Sequence, residues 1–271
     1  MAPITRVAAA LLLFSTIFVQ GVPVLAPAGP SDPAPALAQD VQAFAADSHA
    51  LTKRAGVNIV TRCSVPNTIA ITFDDGPAKF TDGLLTTLKK ENVKATFFVN
   101  AQNNGGKISD YTAVIKRAYA DGHQIASHTF SHQDLAKLNE KQIAKEMNDL
   151  DTEVKKILGV RPIYMRPPYG STNTRAENWL NKNGYKIINW NLDTNDWKHP
   201  KDWKKSIKAY TDAFKKDPKK EGYIALQHDP NAVTSGKLAQ EAIKLAKKYK
   251  LNIVTVGECL GQTNSASWYR K

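Results

Sequence analysis

Residues 68–80 read TIAITFDDGPAKF. The first six, apolar and rich in β-branched side chains, form a short buried strand that runs straight into Asp74 and Asp75 before Gly76-Pro77 turns the chain. A turn cap needs one acid, whereas a site that binds a cation and also moves a proton needs two. Adjacent residues of an extended chain point in different directions. The pair therefore divides its labour, one aspartate binding the cation and the other taking a proton from a water beside it. The same divergence argues against a glycosidase pair, which needs two carboxylates flanking one bond at a set separation.

Outward from this strand the chain alternates. Apolar, β-branched runs predict strands at 68–73, 94–99, 123–127, 162–165, 185–190, 223–228 and 251–256. Helical patterns lie between them near 81–91, 109–121, 140–158, 174–183, 201–215 and 234–249. Asn139-Glu140 opens the third helix and Gly159 closes it. Such alternation predicts an α/β fold with a parallel sheet and helices outside, as an open sheet or a barrel. The unusual polar residues all follow predicted strands: Asp74 and Asp75, His128 and His132, Arg166 and Tyr169, Asp193 and Asp196, and His228. In a parallel barrel these carboxyl ends share one rim, where such folds carry active sites.

Each segment has its own chemistry. In SHTFSH (127–132) the i, i+4 spacing of His128 and His132, on a helical turn, puts both imidazoles on one face. Alone this pair reads first as two surface histidines on a turn. With an aspartate from another strand end it becomes a two-histidine, one-carboxylate set with open positions, as in catalytic zinc sites. YMRPPYG (164–170) sets an arginine before two prolines that stiffen the loop. That arginine suits a bidentate hold on a carboxylate, and the first backbone N–H after the prolines, that of Tyr169, is a fixed donor for a developing oxyanion. The plain alternative is a stiff turn with a surface arginine. NLDTNDW (191–197) and ALQHD (225–229) complete the set. A strand-end histidine beside an acid that fixes its tautomer suits a general acid, although a lone one is also read as a satisfied polar residue.

The ends and the charge bound the rest. Of the 271 residues, the first 21 carry one early basic residue, Arg6, and an apolar run from about Ala8 to Val19, the form of a secretory signal. An uncleaved anchor is the competing reading. Residues 22–60 are Pro/Ala-rich at first and read as leader or linker, residues 61–262 as the catalytic domain and 263–271 as a tail. Cys63 and Cys259 are the two cysteines, and export favours their pairing over two unrelated thiols. A loop that long is worth about 4 to 5 kcal/mol as a chain-entropy ceiling. The formal charge is +12, much of it lysine in 198–250. Those lysines alternate with apolar residues at helical spacing, so they form solvated helix faces, and no nucleic-acid motif accompanies them.

Taken in order, TFDDGP, HTFSH, RPPYG, DTNDW and LQHD resemble the five motifs of the polysaccharide deacetylases, the NodB-homology domain of carbohydrate esterase family 4. The resemblance covers roughly residues 65 to 260, and GHQIASHTFSHQDL and VTVGECLG look most like fungal chitin deacetylases. It implies a distorted (β/α) barrel of about seven parallel strands with its site at the carboxyl-terminal rim. It implies Asp74 as general base, Asp75, His128 and His132 as ligands to a divalent metal (zinc, with cobalt as the alternative), and Arg166 as the tether of Asp74. The Tyr169 N–H would support the oxyanion, Asp196 would orient the general acid His228, and Trp197 and Leu226 would wall a pocket for the acetyl methyl. The expected partner is chitin or a chito-oligosaccharide, acted on by a secreted or wall-associated monomer without nucleic acid or membrane insertion. Rival readings are an acetylxylan esterase, a peptidoglycan deacetylase, or a non-catalytic wall-binding protein on the same scaffold.

Overall fold

A computed structural model describes residues 58–103, 106–216 and 221–271. The expected signal and most of the leader lie outside these residues. Nine parallel strands make the main sheet: β1 (Ile59–Val60), β2 (Thr68–Asp74), β3 (Thr96–Val99), β4 (Gln124–Ser127), β5 (Tyr164–Met165), β6 (Lys186–Ile188), β7 (Leu192–Asp193), β8 (Tyr223–His228) and β9 (Asn252–Val254). Eight run in the order β1-β6-β5-β4-β3-β2-β8-β7, curled into a half-barrel, and β9 pairs with the first half of β2. The seven expected strands are all present. The two additional ones, β1 and β7, are two residues long and leave no periodic signal to read.

The expected helices are present as α1 (Thr81–Lys90), α2 (Thr112–Ala120), α3 (Glu140–Leu158), α4 (Thr174–Lys182), α5 (Trp203–Lys216) and α6 (Ala239–Lys248). Asn139 and Gln142 satisfy each other's backbone N–H groups ahead of α3, and Gly159 ends it in the left-handed region at φ 76°. Several boundaries fall two or more residues inside the expected ranges, and at the last strand the cause is local. The strand predicted over 251–256 stops at Val254, because Thr255 and Glu258 form a second capping box that opens a short helix, α7 (Val256–Cys259).

Alternation along β2 explains the layers. Ile69, Ile71 and Phe73 face outward into one core with Leu84, Leu85 and Leu88 of α1 and Ala239 and Ile243 of α6. Each fully buried leucine there contributes about 1.5 to 3 kcal/mol. Ala70, Thr72 and Asp74 face inward, where small and polar side chains leave room for other residues. A second core gathers Ala70, Phe98, Ala126, Tyr164, Ile188 and Ile224 with Trp268, Cys63 and Cys259. Cys63 and Cys259 are joined by a disulfide across 196 residues of chain. The closing segment packs into this inner core: Trp268 is buried, and a Cβ on Gly257 would fall 2.1 Å from its indole nitrogen. Among the described residues no helix is long and apolar enough to cross a membrane.

The parallel register sets the site. It places His228 opposite Asp74, Val99 opposite Ser127, and Ser127 opposite Met165. The residues that follow these strand ends, Asp75, Asn100, His128 and Arg166, therefore enter the rim on one level.

Candidate active site

Arg166 is fully buried and has no bulk water to solvate its charge, so its donors are spent on the protein. Nη1 donates to Asp74 Oδ1 at 2.6 Å and to Thr72 Oγ1 at 2.7 Å, while Nε and Nη2 donate to the Ile188 and Asn189 carbonyls. Its guanidinium carbon lies 4.1 Å from the centroid of the Phe98 ring. The sequence suggested a bidentate hold. The pairing is through Nη1 alone, because its second N–H goes to Thr72 and Nε and Nη2 turn to the two carbonyls. Burial raises the Asp74 pKa to about 6, against the lowering pull of Arg166 and His228.

Asp75 adopts φ 71°, in the left-handed region. Its Oδ1 lies 3.2 Å from His132 Nε2 and 3.6 Å from His128 Nε2. Ligand bonds of about 2.0 to 2.1 Å in a tetrahedral set put donor atoms about 3.3 to 3.4 Å apart, so these three fit a single ion. His128 Nδ1 lies 2.8 Å from the Arg166 carbonyl oxygen. A carbonyl only accepts, so the ring proton sits on Nδ1 and the Nε2 lone pair faces Asp75. Burial first, then the neighbouring His132, holds the His128 pKa well below its ordinary value, and burial likewise lowers that of His132. Both imidazoles are therefore neutral, as ligands must be.

The two histidines do not meet on a helical turn as their spacing suggested. They belong to an irregular loop in which Thr129 and His132 both have positive φ, at 71° and 60°. For a β-branched threonine that is an outlier conformation. Glu146 of α3 anchors the loop by accepting from the backbone N–H and hydroxyl of Ser131.

Across the cleft, His228 Nδ1 donates to Asp196 Oδ1 at 2.7 Å. Asp196 Oδ2 accepts from the His228 backbone N–H at 2.8 Å and from Thr234 Oγ1 at 2.6 Å. Burial opposes the imidazolium, yet the Asp196 charge and hydrogen bond, with Asp75 and Asp74 behind them, raise the His228 pKa to about 10. Burial opposes the Asp196 carboxylate too, and its contacts with His228 and Thr234 override this and hold its pKa below the ordinary value.

Asp74, Asp75, His128, His132 and His228 line a cleft of about 660 Å³ together with Tyr169, Trp190, Trp197 and Leu226. Tyr169 and Trp197 are 53% and 40% exposed at its edge, whereas Leu226 is buried in its wall. The sequence-predicted residues thus converge on one rim. Four others were given no part: Trp190 in the wall, Thr234 behind Asp196, and Asn100 and Asn103 behind the histidine loop. Asn100 had a signal, since it follows a predicted strand as the rim residues do. Asp229, left without a role in ALQHD, is buried with Thr81 Oγ1 donating to it at 2.5 Å, and burial raises its pKa to about 7. A Cβ on Gly76 would lie 2.2 Å from its carboxylate oxygens, so glycine is required there.

Residues 61–188 match the family model described as polysaccharide deacetylase. The chain is 49% identical over 212 residues to a chitin deacetylase of Pestalotiopsis sp, which covers 78% of this chain and 70% of that protein. It is 43% identical over 213 residues to a chitin deacetylase of Arthroderma benhamiae, covering 78% of this chain and 56% of that longer protein. The solved structure of the chitin deacetylase from the fungal pathogen Colletotrichum lindemuthianum is similar with a TM-score of 0.76 at 37% identity, over 80% of this chain and 97% of that one.

Proposed function

We propose that this chain, which belongs to the polysaccharide deacetylase family, is a secreted, metal-dependent chitin deacetylase. The protein is a hydrolase acting on carbon–nitrogen amide bonds. In the proposed reaction it removes the acetyl group from N-acetylglucosamine residues of chitin or chito-oligosaccharides, giving the free amine and acetate. The observation that carries this reading is the opposition of two proton-handling groups across one cation-binding triad. Asp74 is tied to Arg166 on one side, and His228 is tied to Asp196 on the other.

Asp75, His128 and His132 would hold the ion, for which the oxygen and two imidazole nitrogens suit zinc. Such an ion supplies positive charge that acidifies a water and polarises a carbonyl. The chain's own residues do the rest. Asp74, ionised above a pKa of about 6, accepts the proton of the attacking water, and Arg166 fixes which of its oxygens stays available. The Tyr169 N–H is the donor proposed for the developing oxyanion. His228, protonated at neutral pH, delivers a proton to the departing nitrogen, which would otherwise leave as an amide anion. Asp196 holds the His228 proton on Nδ1 and the ring in plane, so that Nε2 faces the cleft. Leu226 and Trp197 would enclose the acetyl methyl, and the exposed rings of Trp197 and Tyr169 would contact the sugar chain.

The test is acetate release from N-acetylglucosamine oligomers by the purified protein, before chelation, after it, and after zinc is restored. Release abolished by chelation and recovered with zinc is the expected result. Activity on peptidoglycan alone would keep the amide chemistry and overturn the substrate, whereas activity on acetylated xylan alone would keep the site and overturn both. No release from any of the three would overturn the activity.

A further inference from the structure

Residues 100–103, which follow β3, take no step in the reaction just described, yet they touch the triad from two sides. Asn103 Nδ2 donates to Asp75 Oδ1 at 3.1 Å, the oxygen that faces both histidine nitrogens. It also donates to Asn100 Oδ1 at 3.0 Å. Asn100 is buried, and its own amide donates to the main-chain oxygens of His128 and Thr129. Its backbone N–H donates to the Gly76 carbonyl at 2.9 Å, one residue past Asp75. Two amides thus connect the carboxylate of the triad with the backbone that carries its histidines.

The connection lies where the backbone is least stable on its own. Thr129 and His132 hold positive φ values of 71° and 60°, and a conformation of that kind persists only where its surroundings fix it. The carbonyls of this turn are the ones that Asn100 captures. At the other end, a carboxylate oxygen has two lone pairs. The Asn103 amide donates to one of them at Asp75 Oδ1, and the same oxygen is the one nearest both histidine nitrogens.

We propose that Asn100 and Asn103 form a positioning relay for the metal centre, holding the Asp75 carboxylate in register with His128 and His132 before the ion arrives. The proposal rests on reading those three residues as ligands. Without the relay, Asp75 and the histidine turn must be ordered at the moment of binding, and that ordering weakens affinity. Outer-shell partners of this kind are worth about 10- to 100-fold in metal affinity.

The experiment uses the full chain stripped with a chelator and titrated with zinc against a chromophoric competitor. Thermal unfolding of the metal-free protein is recorded in parallel. Asn103→Leu, which keeps the branched outline and deletes the donor, should bind zinc at least tenfold more weakly while the metal-free melting temperature stays at the wild-type value. Asn100→Asp, which turns a carboxylate toward two carbonyls, should weaken zinc further; if it does not fold, Asn103→Leu alone decides. Wild-type zinc affinity in a folded Asn103→Leu protein overturns the relay and leaves the ligand set standing. A wild-type protein that binds no zinc overturns the ligand set and the relay with it.

Discussion

Arg166 and Asp74 face each other across the inside of the half-barrel, Nη1 to Oδ1 at 2.6 Å, with both side chains withdrawn from water. Neither charge is stable there alone. Arg166→Met would leave Asp74 buried without its counter-charge, and breaking a buried pair costs about 3 to 5 kcal/mol. The Arg166 charge lowers the Asp74 pKa, so its removal must raise that pKa above about 6. The expected outcome is a lower denaturation midpoint and an acid limb of the activity profile displaced to higher pH. An unchanged acid limb in a folded variant would detach Arg166 from the base.

Asp196→Asn tests the opposite side. Asp196 is the largest of the influences that raise the His228 pKa to about 10, and burial works the other way. With Asp196 neutral, burial prevails and the His228 pKa falls toward or below its ordinary 6.5. The proton needed by the leaving amine is then absent at pH 8, and the rate there should drop by about 10²- to 10⁴-fold. The alkaline limb should move to lower pH. Linkage gives a second readout. His228 has a folded pKa above its unfolded one, so its contribution to stability is full below pH 6.5 and lost as pH rises through about 10. The wild type should lose stability across that window, and Asp196→Asn should lose less.

The convergence of five polar segments on one rim was legible because each follows a strand-like run, and parallel strands carry their carboxyl ends together. His228 opposite Asp74 is that rule in its simplest form. The shape of the histidine loop was not legible. Its i, i+4 spacing is common to a helical turn and to the observed irregular loop, and nothing local marks Thr129 for a positive φ. Thr234 and Asn103 escaped for a different reason. They act through hydrogen bonds to Asp196 and Asp75 that span 38 and 28 residues, and no period within a segment encodes such a contact. The edge strands β1 and β7 are too short to show alternation at all.

The disulfide should govern stability without touching the chemistry. Cys63 and Cys259 join segments near the amino end of β2, at the opposite end of that strand from Asp74, and both are buried. A closed loop of this length is worth about 5 kcal/mol at most in the unfolded chain. The Cys63→Ser/Cys259→Ser protein should unfold at markedly lower denaturant and keep its kcat at low temperature. A kcat that falls in step with the midpoint would mean the crosslink also shapes the rim.

His228→Ala separates the general-acid assignment from a merely structural role. The leaving group of an amide is a poor one until its nitrogen is protonated, whereas an activated ester releases a stable alkoxide or phenoxide unaided. Both substrates need the same water, the same base and the same oxyanion stabilisation, all supplied by groups on the other side of the cleft. The variant should therefore lose about 10²- to 10⁴-fold in kcat on N-acetylglucosamine oligomers and far less on an activated acetyl ester. Damage to the cleft as a whole would depress both substrates equally, and so would loss of the ion. Equal losses would thus assign His228 to holding the site in shape, whereas a large difference between amide and ester would place the transferred proton on His228 Nε2.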